Sequence, residues 1–241
     1  MNHISHCCPL SLQVIHSNEY APVWIDPIPD LAGFMPDVSV REDIAPGTLL
    51  LSLTARDDDI GTYGDVIYMM TSAVTDSGSN ASHLFFLHST SGDLRTTATL
   101  DRDPNTGGTT FYLLTLKVLD AGSRSSEANL NVTMTDINDN RPQFESDVYS
   151  MNVSSSTAAD VPILTFNVTD ADEGNNSDVN LTLLTSVAGF TMSGTGLYVN
   201  ASKLDFNRIS SYNLGVEASD APTKGVKLTS VAIVNVQVCM Q

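Results

Sequence analysis

The chain has few basic residues, no cysteine in its interior and no long apolar run, and each shortage excludes something. Lys and Arg total 11 against 28 Asp and Glu, a net charge of −17. Such a surface repels nucleic acid and anionic membrane. Its carboxylates also repel one another unless cations neutralise them. The three cysteines, Cys7, Cys8 and Cys239, lie at the extremes. That rules out an interior disulfide framework or Cys metal site. No apolar run reaches the ~18 residues of a membrane span. The N-terminus lacks a basic region followed by a sustained apolar one, so no secretory leader is read there. Helical periodicity is missing as well. The histidines His3, His6, His16, His83 and His88 show no metal-ligand spacing. Cys7-Cys8 beside His3 and His6 is a poor setting for zinc, being at an end that frays. Gly194-Thr195-Gly196 reads as a hairpin turn, not a phosphate loop, because no helix follows it.

What is present points elsewhere. Hydrophobic residues make up 41% of 241 residues, too many for disorder and enough for two domains. Apolar positions alternate with period two at Leu49, Leu51, Leu53 and Ala55, and at Leu164, Phe166 and Val168. Tyr112 to Val118 and Tyr212 to Ala218 do the same, with Lys117, Asn213 and Glu217 outward. Turns fall at Ala45-Pro46-Gly47, Asp103-Pro104-Asn105, Gly107-Gly108 and Ala221-Pro222. The reading is all-β, with several short strands per ~100 residues, as in an immunoglobulin-like β-sandwich. Asn-X-Ser/Thr occurs at Asn80, Asn131, Asn152, Asn167, Asn175, Asn180 and Asn200, which favours the secretory pathway. Asn131 and Asn167 are placed on strands, where side chains facing neighbours would not be used.

The densest motif is Asp136-Ile137-Asn138-Asp139-Asn140-Arg141-Pro142. It sets carboxylates and amides at a strand end, and a proline stops any regular element after them. Rigid oxygen donors suit a hard cation such as calcium better than nucleophilic or redox chemistry. A solvated turn is the bland alternative. Internal repetition weighs against it. Pro22-Val23-Trp24 matches Pro142-Gln143-Phe144 at an offset of 120, and Asp57-Asp58-Asp59-Ile60-Gly61 matches Asp170-Ala171-Asp172-Glu173-Gly174 at 113. Gly92 and Gly196 each lie nine residues before Asp101 and Asp205, and Tyr112 to Asp120 matches Tyr212 to Asp220 at 100. The expected organisation is the final strand (Leu10, Leu12, Val14) and degenerate linker of a preceding unit over 1–20, one repeat over 21–140 and another over 141–241.

The arrangement resembles the extracellular repeats of cadherins over essentially the whole chain. The residues that carry it are Val40-Arg41-Glu42-Asp43 with Pro46-Gly47-Thr48, then Ala55-Arg56-Asp57-Asp58-Asp59, Ser91-Gly92-Asp93-Leu94, Leu100-Asp101-Arg102-Asp103, Val118-Leu119-Asp120 and the Asp136 to Asn140 linker. The resemblance implies tandem Greek-key sandwiches and a calcium cluster at the junction between repeats. Its ligands would be Glu42, Asp101 and Asp103 from the first repeat, and Asn138 and Asp139 with the carbonyls of Ile137 and Asn140 from the linker. The second repeat would add Asp170, Asp172 and Asp220 with the carbonyl of Asn176. Asp103 stands where the family usually has Glu, with less reach. Asp136 is read as ordering the linker and adding negative potential. A weaker site above the first repeat would use Asn18, Glu19, Asp57, Asp59 and Asp120, with Tyr63 in place of an Asn. In the second repeat Ser155 and Asn207 fall where Glu42 and Asp103 would, so no full site is expected below it. Trp24 aligns with Phe144, which makes it a core anchor instead of a strand-swap tryptophan.

The implied role is calcium-dependent adhesion or recognition at the extracellular face of the plasma membrane, without catalysis. The expected partners are other cadherin ectodomains, homophilic or heterophilic. Nucleic acid and small-molecule substrates are not expected, and the membrane only through missing parts of a longer parent. A non-adhesive spacer is the alternative. A calcium-dependent carbohydrate module, or a glycosidase using Asp57 and Asp59, fits less well, because no aromatic platform or cleft accompanies them.

Overall fold

The computed structural model describes residues 16–103 and 107–239. The strand expected at Leu10, Leu12 and Val14, the Cys7-Cys8 pair and residues 104–106 lie outside them. Contacts divide the chain into two compact units. One holds the described residues of 1–40, 44–100 and 110–133; the other holds 41–43, 101–109 and those from 134 onward.

The first set of strands is β1 (Val23–Asp26), β2 (Val38–Arg41), β3 (Leu49–Ser52), β4 (Thr54–Arg56), β5 (Ile67–Thr75), β6 (Phe85–Leu87), β7 (Asp93–Thr96), β8 (Phe111–Leu119) and β9 (Ser125–Thr135). They form sheets of order β2-β9-β8-β5, β3-β7-β6 and β1-β4. The second set is β10 (Gln143–Phe144), β11 (Val148–Ser154), β12 (Leu164–Thr165), β13 (Val168–Thr169), β14 (Asn180–Leu183), β15 (Phe190–Ser193), β16 (Gly196–Val199), β17 (Ser211–Ser219) and β18 (Thr229–Cys239). Their orders are β11-β18-β17-β14, β12-β16-β15 and β10-β13, the same pairings in the same sequence. The repetition seen in the residues is a repetition of topology: two immunoglobulin-like β-sandwiches. The described helical turns are all short 3-10 turns, and none is long and apolar enough to cross a membrane.

Period-two burial builds each core. Tyr112, Leu114, Leu116 and Val118 of β8 face inward against Leu130 and Val132 of β9. Leu214 and Val216 of β17 pack with Val234 and Val236 of β18, joined by Val153, Phe166, Leu197 and Val199. The apolar runs over 49–55 and 164–168 are each two strands, not one. Leu53 turns its N–H to the Gly92 carbonyl (2.9 Å), and Phe166 turns its N–H to that of Thr195 (2.9 Å), so each run passes from one sheet to another. Trp24 is buried 6.0 Å from the Tyr68 ring, and Phe144 packs 5.6 Å from Phe166.

Candidate metal centre

Aspartates two residues apart make the recurring local device. The N–H of the later residue donates to Oδ1 of the earlier in Asp57/Asp59 (2.8 Å), Asp101/Asp103 (2.9 Å), Asp170/Asp172 (3.1 Å) and Asp205/Asn207 (3.1 Å). Such Asx turns fix carboxylate direction before any ligand arrives. Three of these turns feed acidic clusters; the fourth, with Asn207 exposed, does not.

The larger cluster lies within the second unit, which takes in residues 41–43 and 101–109. Carboxylate oxygens of Glu42, Asp103 and Asp139 all lie within 4.8 Å of one another, and so do those of Asp103, Asp136 and Asp172. Asp103 belongs to both sets, so the two are continuous. Glu42 follows β2 and is anchored through both oxygens, accepting N–H bonds from Ile137 (2.8 Å) and Arg102 (2.7 Å). The carbonyl of Ile137 accepts the N–H of Asp139 (3.1 Å). Asp220 is fully buried; its carboxylate accepts the Leu228 N–H (3.0 Å) and the Asn138 amide (3.0 Å). Asn138 also donates to the Val226 carbonyl (2.8 Å), which leaves its Oδ1 as the group free to accept.

Asn140 shows what the cluster demands. Its side-chain nitrogen contacts Asp139 (2.9 Å), Asp172 (2.9 Å) and Asp103 at once. Three carboxylates thus converge on an NH2 with only two protons. Asp136 lies in the same cluster while ordering the linker, accepting from the Glu173 N–H (3.1 Å) and the Asn176 amide (2.7 Å). The sequence reading of Asp136 is that it orders the linker and adds negative potential; its carboxylate also stands beside those of Asp103 and Asp172.

Burial pushes the Asp103 carboxyl up to about 7, with the Glu42 charge adding to the effect. Burial likewise pushes Asp172 up to about 6. Glu42, Asp139 and Asp170 are raised, again mainly by burial; the Asp101 charge is the next cause at Asp139. The Arg102 guanidinium pairs with Glu173 and donates to the Met134 carbonyl (2.7 Å). Buried oxygens of Asn138, Asp170 and Asp172 have no protein donor. Buried acceptors of this kind are costly unless satisfied. The donor set is oxygen throughout, which fits a hard cation and not a soft one.

The cadherin domain family matches residues 36–135 and 149–239. The chain belongs to the cadherin family. Protocadherin Fat 2 of Rattus norvegicus is 33% identical over 222 residues, covering 92% of this chain and 5% of that protein. Protocadherin-20 of Mus musculus is 31% identical over 222 residues, covering 92% of this chain and 22% of that protein. The chain therefore spans a small part of these cadherins. Among solved structures, mouse Cadherin-23 EC22-24 matches with a TM-score of 0.77 at 26% identity, covering 94% of this chain and 67% of that one. Protocadherin Gamma B2 extracellular cadherin domains 1-5 match with a TM-score of 0.77 at 25% identity, covering 95% and 41%.

The first unit of this cadherin carries a smaller acidic cluster, Asp57, Asp59 and Asp120, with oxygens within 4.8 Å of one another. Buried oxygens of Asn18, Asp57 and Asp120 lack a donor there too. Glu19 and Tyr20 offer backbone N–H groups to Asp59 (3.0 Å), while the Glu19 carboxylate accepts from Ser17 (2.7 Å). Tyr63 sits on the 3-10 turn Gly61–Gly64. Ser155 is exposed in the second unit. The sequons need one correction. Asn167 does not sit on a strand: it lies exposed between β12 and β13, whereas Asn131 on β9 donates to Asp37 (3.3 Å).

Proposed function

We propose that this chain is a calcium-binding segment of an extracellular recognition protein, acting by adhesion to other cadherin ectodomains and not by catalysis. The observation that carries the reading is the convergence of raised, buried carboxyls with donor-free oxygens of Asn138, Asp170 and Asp172. Glu42, Asp101, Asp103, Asp136, Asp139, Asp170, Asp172 and Asp220, with Asn138, would hold the ions. Calcium would supply positive charge to a set that cannot ionise fully by itself. The consequence is stiffening of the Asp136–Asn140 segment that connects the repeats. The Asp57, Asp59 and Asp120 set would bind more weakly, having fewer carboxylates. Extracellular sites of this class work at ~10⁻⁴ to 10⁻³ M, so the ion need not be held tightly.

Calorimetric titration of calcium into the chelator-treated chain tests this. The expected result is saturable binding in that range, lost from the main sites in Asp139→Ala and unchanged in Ser155→Ala. Identical titrations for the two variants would sink the assignment.

A further inference from the structure

The seven sequons differ in what their side chains already do. Asn80 and Asn200 spend Oδ1 on the N–H groups of Ser82 (2.9 Å) and Ser202 (3.2 Å), and Asn175 donates to the Thr223 hydroxyl (2.8 Å). Asn131 donates to Asp37 (3.3 Å), and its Oδ1 is buried with no donor. Asn152, Asn167 and Asn180 are exposed and make no side-chain hydrogen bond among the described residues. Two of these three, Asn152 on β11 and Asn180 at the start of β14, share the outward face of one sheet.

That sheet has the order β11-β18-β17-β14. Period two turns Val153, Leu214, Val216, Val234 and Val236 into the core, so the alternate positions face water. Among them an apolar row crosses all four strands. Val148 is opposite Ile233, Ile233 is opposite Gly215, and Leu184 donates its N–H to the Gly215 carbonyl (2.8 Å). The Leu184 side chain leans over Gly215, 3.6 Å from where a Cβ would stand. Val148 is 54% exposed, Ile233 40% and Leu184 55%. Such a row in water costs hydration free energy that a cover would recover. The two sequons flank it symmetrically. Asn152 is opposite Gln237, and Asn180 is opposite Ser219, itself opposite Thr229, so each stands four residues along the sheet from Ile233, on either side. That is ~13 Å from the row, at opposite edges. Glu217 is the one charged outward residue on these four strands. The matching sheet of the first repeat is different: Lys117 pairs with Glu127 (3.1 Å) across β8 and β9, and its sequon, Asn131, is tied to Asp37.

We propose that Asn152 and Asn180 carry N-linked glycans that cover this apolar row, closing the outward face of the second repeat with the chain's own sugars and leaving recognition to other surfaces. A glycan is bulky, neutral and solubilising, so it covers apolar surface without bringing charge against Glu217 or the −17 of the chain. On a strand, residues two apart share a face, so Ser154 and Thr182 present the sequon hydroxyl on the same side as each Asn. In the attachment, Asn Nδ2 attacks C1 of the first sugar of a lipid-diphosphate-linked oligosaccharide. The N–C1 bond forms, the C1–O bond breaks, the diphosphate leaves with the electron pair and the amide gives up one proton. The inference rests on the extracellular reading above.

The test uses the whole chain, secreted from mammalian cells behind an added leader. An amidase that removes N-glycans leaves Asp where a glycan stood, and peptide mass spectrometry then reads the positions. Asn152 and Asn180 are expected to be carriers and Asn131 bare. Binding of a dye that fluoresces on apolar surface should rise ~2-fold or more when the folded chain is deglycosylated, and likewise in the double variant Asn152→Gln, Asn180→Gln, which adds no charge. A bare Asn152 or Asn180, a glycan on Asn131, or dye binding unchanged in both preparations would overturn the proposal. Melting the same secreted chain in chelator and in calcium separates the two readings. A calcium shift with both sites bare overturns the glycan cover alone; occupied sites without a calcium shift overturn the metal reading alone.

Discussion

Asp103 is the residue on which the metal centre turns, because it belongs to both carboxylate sets. Replacing it by Asn removes one charge while keeping shape. We expect Asp103→Asn to stabilise the calcium-free chain, since each like-charge pair near 4 Å costs about 1 to 4 kcal/mol at solvent-like to surface dielectric. The same variant should lose most of the stabilisation that calcium gives. A variant that raises the melting temperature in chelator and lowers it in calcium, relative to wild type, is the signature to look for in paired scans. The ligand candidates were largely legible because they are acidic and recur in order. Asp136 and the Asn140 amide were not, because their sequence positions do not reveal that both point into the cluster. That depends on how the linker folds back over Asp172, which only the three-dimensional turn shows.

Among the elements, the strands were legible from alternation, but the sheet switch within 49–56 and 164–169 was not. Period two reports which side is buried and not which sheet a strand pairs with. The switch in the first copy depends on Gly92. Its φ is +74, and a Cβ there would stand 2.2 Å from the Leu53 carbonyl oxygen. Gly92→Ala should therefore cost at least ~2 kcal/mol, measured by urea unfolding. A cost below ~0.5 kcal/mol, the range of an ordinary surface substitution, would contradict it. The register also shows that Gly92 corresponds to Thr195 and not to Gly196: each gives its carbonyl to the crossing strand, and the sequence match is one residue off. Leu114→Ala, at the centre of β8 and fully buried, should cost about 2 to 5 kcal/mol by the same measurement. Calcium should not restore that loss, because the cavity lies in the first unit's core.

Charge governs the molecule as a whole. Asp103 at about 7 and Asp172 at about 6 both lie above the ordinary value of 3.8. The folded state therefore holds protons that the unfolded chain has released. Their stabilising contribution is fully present below about pH 4 and is lost as pH rises through 6 to 7. Melting temperature in chelator should accordingly fall between pH 5 and pH 8. Calcium competes for the same oxygens, so its effect should grow over that interval and be small at pH 5. A chelator profile that rises toward pH 8 would contradict the electrostatic account. The most direct measurement is a melting curve of the chain at pH 7.5 in excess chelator and again in ~1 mM calcium. We expect a saturable rise of several degrees with calcium; superimposable curves would show that the carboxylates are solvated turns and that no metal centre exists.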